Sequence, residues 1–235
     1  MARDYPSAAP HIAVLIPCHN EAATITQVVA DFRRALPHAT ILVCDNASGD
    51  DTAKQAAAAG AIVTHEPLRG KGNAVRRMFA DVDADVYVLV DGDDTYDASV
   101  APDLINRLIS GNLDMLNASR VLPEGETYRR GHRFGAAMLT SIVSRLFGNR
   151  FEDMLAGYRV FSRRFVKTFP SRSSGFEIET ELTVHALEMR TPVEEVATRY
   201  TDRPEGSDSK LHTVRDGGRI LRTILELLRE ERPLR

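Results

Sequence analysis

The run Val86-Tyr-Val-Leu-Val, followed at once by Asp91-Gly-Asp93-Asp94-Thr95-Tyr96-Asp97, constrains this chain more than any other stretch. Five apolar residues, three of them β-branched, read as a strand buried on both faces, and such a strand belongs inside a parallel sheet covered by helices. In open α/β sheets ligands gather outside the carboxyl ends of the strands. Residues two apart in extended chain point the same way, so Asp91 and Asp93 are expected to share one target. A divalent cation suits them: Mg2+ or Mn2+ takes one or two carboxylates and completes its shell with water and phosphate oxygens. The plain alternative is a solvated acidic turn, and the position directly behind a buried strand weighs against it.

The residues before this strand repeat one pattern three times. Ile12-Ala-Val-Leu-Ile16 reads as a strand ended by Pro17, after which Asn20 is placed to cap a helix through Ala22 to about Leu36, with Glu21 in its first turn. The competing reading of this turn is contact with a base or ribose. Thr40-Ile-Leu-Val-Cys44 is a second strand that gives way to Asp45, again where a base or ribose binds, and then to an alanine-rich helix reaching Ala59. Ser48, Asp50 and Asp51 read as turn and cap residues. Ala61-Ile-Val-Thr64 is a third strand, and Arg69-Gly-Lys71-Gly-Asn73 opens a helix to Ala80. That basic glycine turn is expected to bring backbone N–H groups and Lys71 near phosphate. Neither G-x-x-x-x-G-K-[ST] nor G-x-G-x-x-G after the first strand is present. The fold class is therefore α/β, a mostly parallel sheet with helices on both faces.

Beyond the acidic break the pattern changes. A helix is expected from Ala98 to Ser110, a strand over Leu113–Asn117, and Arg120 at that strand's end, suited either to bidentate phosphate contact or to a surface salt bridge. Glu124 to Arg130 reads as a polar loop. Phe134, Met138, Leu139, Ile142, Val143, Leu146 and Phe147 fall at helical spacing, a core stripe whose arginine flanks also suit a membrane interface. Asp153 and Gly157-Tyr158-Arg159 precede a short strand, and Gly175-Phe-Glu177-Ile-Glu179 begins a helix to about Met189. A last strand covers Pro192 to Tyr200, and the polar loop Thr201–Leu211 carries Arg203 and Lys210 in a composition that closes over anions. An amphipathic helix follows from about Val214 to Glu230.

Charge follows the same division. From Asp81 to Asp103 there are eight acidic residues and no Lys or Arg, whereas Arg129 to Arg172 holds ten basic residues against Glu152 and Asp153. The net charge of −3 over 235 residues carries no global bias toward nucleic acid. That length fits one large domain, read as a tail over 1–10, a catalytic domain over 11–212 and the amphipathic helix over 213–235. Cys18 and Cys44 lack disulfide or metal spacing and read as reduced cytosolic thiols. No apolar leader follows Met1 and no 18-residue apolar run occurs, so neither a signal peptide nor a spanning helix is expected in these residues. The sequons at Asn46 and Asn117 carry no meaning without secretion.

Together these motifs, from Ile16-Pro17-Cys18-His19-Asn20-Glu21 through Asp45-Asn-Ala-Ser48-Gly-Asp50, Asp91-Gly-Asp93, Ser119-Arg120, Gly157-Tyr-Arg159 and Gly175-Phe-Glu-Ile-Glu179 to Gly206-Ser-Asp-Ser-Lys210-Leu211, stand in an order that resembles family 2 glycosyltransferases of the GT-A fold. The nearest likeness is to polyprenyl-phosphate glycosyltransferases of the dolichol-phosphate mannose synthase type. The resemblance implies a nucleotide-diphosphate sugar donor, with Pro17, Asn20, Glu21 and Asp45 lining the nucleotide pocket and Asp91 and Asp93 holding Mg2+ or Mn2+. Thr95 stands where the family places a further metal ligand. Arg120, Arg130 or Arg133, Arg203 and Lys210 correspond to phosphate-contacting cations, and Ser207 and Ser209 to polar supports in the mobile loop. A polyprenyl-phosphate acceptor implies the cytoplasmic face of the membrane, and the ending at Arg235 then looks cut just before a hydrophobic segment.

The acceptor stays open at this point. A lipid phosphate is an anion and needs no general base, whereas a glycan or small-molecule hydroxyl requires one, with Asp153 or Glu177 the candidates. A sugar-1-phosphate nucleotidylyltransferase and a non-catalytic nucleotide-sugar binding module are the remaining alternatives. The first lacks its N-terminal glycine-rich phosphate loop, and intact Asp91, Asp93, Arg120 and Lys210 weigh against the second.

Overall fold

The computed structural model describes residues 9–121, 130–147, 151–204, 206, 210 and 213–231, with side chains in the helices beginning at Arg130 and Thr213 described over 138–146 and 216–229. The expected tail falls mostly on residues 1–8, outside the described residues. Three βα units come first: β1 (Ile12–Cys18), α1 (Ile25–Ala35), β2 (Thr40–Asp45), α2 (Thr52–Ala58), β3 (Ile62–His65) and α3 (Lys71–Asp81). The acidic strand β4 (Val86–Leu89) then leads through a 3-10 turn at Ala98–Val100 into α4 (Ala101–Ser110). The second half comprises β5 (Met115–Val121), α5 (Arg130–Phe147), β6 (Arg159–Ser162), α6 (Arg163–Thr168), α7 (Ile178–Glu188), β7 (Val193–Arg199) and α8 (Thr213–Glu231).

The seven strands of the described residues form one sheet in the order β3-β2-β1-β4-β6-β5-β7. Only β6 runs antiparallel to its neighbours β4 and β5; every other pairing is parallel. The alternation of β1 shows why the sheet is buried on both sides. Ala13 and Leu15 face a core built with α3, α7 and α8, while Val14 and Ile16 face one built with α1 and α4. Helix α1 buries Ile25, Val28, Val29 and Phe32 at helical spacing and ends on Arg33 and Arg34, favourable at a helix C-terminus. The last helix joins the first of these cores through Ile220 and Ile224.

Several local expectations are corrected. Pro17 does not end β1: its missing N–H points toward β4, whose pairing with β1 has already stopped at Leu89, so no ladder bond is lost. Asn20 is no helix cap, because it sits in the left-handed region at φ 54° and α1 begins only at Ile25. Strand β5 starts later and runs further than expected, which puts Arg120 inside the strand rather than behind it. The short helix α6, capped by the Ser162 hydroxyl accepting from Phe165 N–H at 3.2 Å, was not foreseen. In α5 the apolar stripe divides by residue, with Leu139 and Val143 buried in the core and Met138 and Leu146 exposed.

Candidate active site

The carboxyl ends of β1, β2 and β4 meet at one lip of the sheet. Asp91 and Asp93 follow β4 there, and the turn closes with Asp94 at φ 60°. Gly92 lies directly over the Cys18 thiol at the end of β1, and a Cβ at that position would collide with the sulfur. Both cysteines are free and buried, and burial pushes the Cys44 thiol up to about 11, so neither supplies a thiolate at neutral pH.

The two aspartates have different surroundings. Asp93 is 2% exposed, accepts from the Thr95 hydroxyl at 2.6 Å and pairs with Arg203 Nη2 at 2.5 Å. Burial raises its pKa, the neighbouring Asp91 adds to that, and Arg203 opposes both. The Asp91 side chain is 29% exposed and pairs with Lys71, whose ammonium is shared with Glu179 at 2.5 Å. Burial alone would lower the Lys71 pKa, but Asp91 and Glu179 outweigh it and hold the amine above the usual lysine range. Lys71, expected near phosphate from its basic glycine turn, here faces two carboxylates. Its turn is pressed onto residues 173–175, where a Cβ on Gly70 or Gly72 would strike the carbonyls of Ser174 and Ser173.

Glu21 gathers the cations of the 201–211 loop. It is buried, pairs with Lys210 Nζ at 2.9 Å and lies 3.7 Å from Arg203 Nη1; Lys210 also donates to the Asn20 carbonyl at 2.9 Å. Burial raises the Glu21 pKa against the pull of Lys210. The Asn20 side chain accepts from Gly49 N–H at 2.7 Å, joining the turns behind β1 and β2. At the end of β2, Asp45 Oδ2 lies 3.2 Å from His65 Nδ1, while its buried Oδ1 has no hydrogen-bond partner among the described residues. Residues that sequence reasoning passed over shape this wall. Asn46 accepts from Gly70 N–H at 2.6 Å and donates to the carbonyls of Glu66 and Leu68, and His19 meets Arg69 at 2.6 Å.

Arg120 holds both oxygens of Asp153, donating from Nε at 2.6 Å and Nη2 at 2.8 Å, with its guanidinium 5.5 Å from the centre of the Tyr200 ring. The other candidate base, Glu177, accepts from Arg219 at 2.8 Å and Gly175 N–H at 3.0 Å. Arg130 and Arg133 lie on α5 with side chains outside the described residues, as are Ser207 and Ser209.

Among the described residues no three His, Cys, Asp or Glu side chains are grouped to hold a metal on their own. Two hard carboxylates nonetheless suit Mg2+ or Mn2+, which draws most of its shell from water and phosphate. Thr95, expected beside them, is 1% exposed and donates its hydroxyl to Asp93 at 2.6 Å.

The sequence resembles known proteins along most of its length. It is 56% identical to protein RfbJ of Shigella flexneri over 124 residues, 52% of this chain and 96% of that protein. Glycosyltransferase AglJ of Haloferax volcanii is 34% identical over 224 residues, 95% of this chain and 74% of that one. Among solved structures, glucosyl-3-phosphoglycerate synthase of M. tuberculosis aligns with a TM-score of 0.76 at 23% identity, covering 93% of this chain and 81% of that one, which shows a shared fold. Residues 13–169 match the family described as glycosyl transferase family 2, more than half of the chain. On these grounds the chain belongs to glycosyl transferase family 2, and its activity is the transfer of a sugar.

Proposed function

We propose that this glycosyltransferase moves a sugar from a nucleotide-diphosphate donor to a polyprenyl phosphate, with inversion at the anomeric carbon and dependence on Mg2+ or Mn2+. One observation carries the reading: two carboxylates stand together at the β4 lip, and cations from distant parts of the chain converge on them. Asp91 and Asp93 would hold the ion, which when bound supplies positive charge to the departing diphosphate. Arg203 and Lys210 are placed to trade their carboxylate partners for phosphate oxygens. The open Asp45 Oδ1 accepts an N–H or O–H from the nucleoside. A structure of the M. tuberculosis synthase in complex with Mn2+, UDP and phosphoglyceric acid aligns at a TM-score of 0.75 and supports a UDP-linked donor.

The choice of acceptor rests on the bases. Asp153 and Glu177 are both committed to arginines, and a phosphate acceptor, already an anion at neutral pH, attacks without one. No helix among the described residues is long and apolar enough to cross a membrane. Met138 and Leu146 on α5 and Leu221 and Leu225 on α8 are exposed, and with the arginines flanking α5 they support docking at the cytoplasmic membrane surface. The test is transfer of radiolabelled sugar from UDP- or GDP-linked donors to a short-chain polyprenyl phosphate. Label in the organic phase that is abolished by EDTA is expected. Label confined to a water-soluble glycan moves the acceptor to a hydroxyl, and no transfer from any donor overturns the reading.

A further inference from the structure

Arg159 is the bulkiest fully buried side chain described, 0% exposed, and the mechanism above makes no use of it. A guanidinium so deep must find partners for its five N–H groups. It finds no carboxylate in hydrogen-bond contact among the described residues. Nε donates to the Ala156 carbonyl at 3.2 Å, Nη2 to the Met154 carbonyl, and Nη1 to the Thr183 hydroxyl at 2.9 Å. Burial draws its pKa down, while Glu179, Asp153 and Glu195 act the other way. A methionine or leucine would fill the same volume with less desolvation. What arginine adds is a pair of donors aimed at two carbonyls of one turn.

That turn, residues 153–157, has an end on each side of the site. Asp153 opens it and holds Arg120. Gly157 closes it, donates its N–H to the Tyr96 hydroxyl at 2.8 Å and lies so near Asp91 that a Cβ would collide with Oδ2. The outer strands brace the opening end: Asn117 Nδ2 donates to the Asp153 carbonyl at 2.8 Å, and Asp153 N–H donates to Glu195 at 3.1 Å. Without Arg159 the middle of the turn keeps, among the bonds described, one side-chain bond, made within the turn itself from Leu155 N–H to Asp153 Oδ1 at 3.3 Å, and no side chain from outside the turn anchors it.

We propose that Arg159 is a positioning residue for sugar transfer: from within the core it fixes the 153–157 turn and so sets the separation of Asp91 from the Arg120–Asp153 pair. The proposal rests on the reading of Asp91 as a holder of the ion at the donor diphosphate and of Arg120 as a phosphate-contacting cation. Two measurements on the full chain test it. In Arg159→Met, hydrogen exchange at the amides of 153, 155, 156 and 157 is expected to quicken about tenfold while β1 and α1 stay protected. A displacement of about 1 Å there is expected to lower kcat about 100-fold. The KM for the donor is expected to move less than kcat, because Asp45 on β2 and the cations Arg203 and Lys210 are untouched. Arg159→Lys keeps the charge and reaches one carbonyl, so it should show the same pattern at smaller amplitude. Exchange that rises uniformly over the sheet, or a lysine variant with wild-type exchange and wild-type kcat, overturns the proposal; the lysine variant decides the matter if Arg159→Met does not fold. If the wild-type protein transfers no sugar, the functional reading has failed and the exchange pattern alone decides this one.

Discussion

The residues up to Asp97 and the residues after it are built on different plans. The first part is a run of βα units whose four strands all point one way, and it contributes the acids Glu21, Asp45, Asp91 and Asp93. The second part interleaves an antiparallel strand with its parallel ones and contributes Arg120, Arg203 and Lys210. Neither part makes the site alone. The ion pair between Lys210 and Glu21 spans 189 residues of sequence, and Arg203 reaches Asp93 from the loop behind β7. Lys71 is the exception, a cation supplied by the acidic part, and it answers to an acid of the other part, Glu179. The difference teaches that the first part fixes where charge is wanted and the second decides how it is met.

The largest test of that division is Asp93→Asn. Burial already disfavours a charge there, so the variant should fold, with Tm within about 3 °C of wild type. Turnover should fall on the order of 10²–10³-fold, since an acid that organises transition-state charge is gone. Wild-type transfer by this variant breaks the assignment of the acidic part. Next in size is Lys71→Met, which leaves Asp91 and Glu179 facing each other without their shared cation. A cost of about 3–5 kcal/mol in urea unfolding is expected, partly recovered by adding Glu179→Gln. A loss under about 1 kcal/mol would mark the pair as solvated and remove the exception.

The smallest test is of acid sensitivity. His185 on α7 is half-buried between Phe165 and Phe169, with ring centres 5.3 and 5.4 Å away and no hydrogen-bond partner among the described residues for its buried Nε2. Burial lowers its pKa, with Glu181 opposing. A base whose native pKa lies below its unfolded value binds fewer protons folded than unfolded. Its contribution to stability is therefore complete above the ordinary histidine value of about 6.5 and is lost as pH falls through that value toward the native pKa. His185→Phe should flatten the change in Tm between pH 7 and pH 5 by about 1–2 °C. An unchanged slope places the acid sensitivity elsewhere.

Most of the parallel sheet was legible because its signals are local. A buried strand, an acid behind it and an amphipathic helix recur within about thirty residues, and Asp91 and Asp93 stand at the lip where that pattern puts them. The direction of β6 was not legible, since four residues carry no mark of parallel or antiparallel pairing. The pairing of Lys71 with Glu179 was not legible for a related reason: a basic glycine turn looks the same whether its cation meets phosphate or a buried acid. Asn20 looked like a cap because Asn before a helix usually is one, and here the chain uses its left-handed tolerance to reach Gly49 instead. Arg120 and Asp153 each stand out in the sequence, but nothing there marks them as two halves of one ion pair.

The reversed strand changes how one wall of the site is supplied. Parallel strands deliver ligand-facing residues on the turns that leave them, whereas β6 receives its own from the turn that enters it. Residues 153–157 therefore form a cassette outside the βα units. On the proposed function, exchanging that short stretch between relatives is expected to alter what confronts the incoming acceptor while leaving every helix of the βα units in its native sequence.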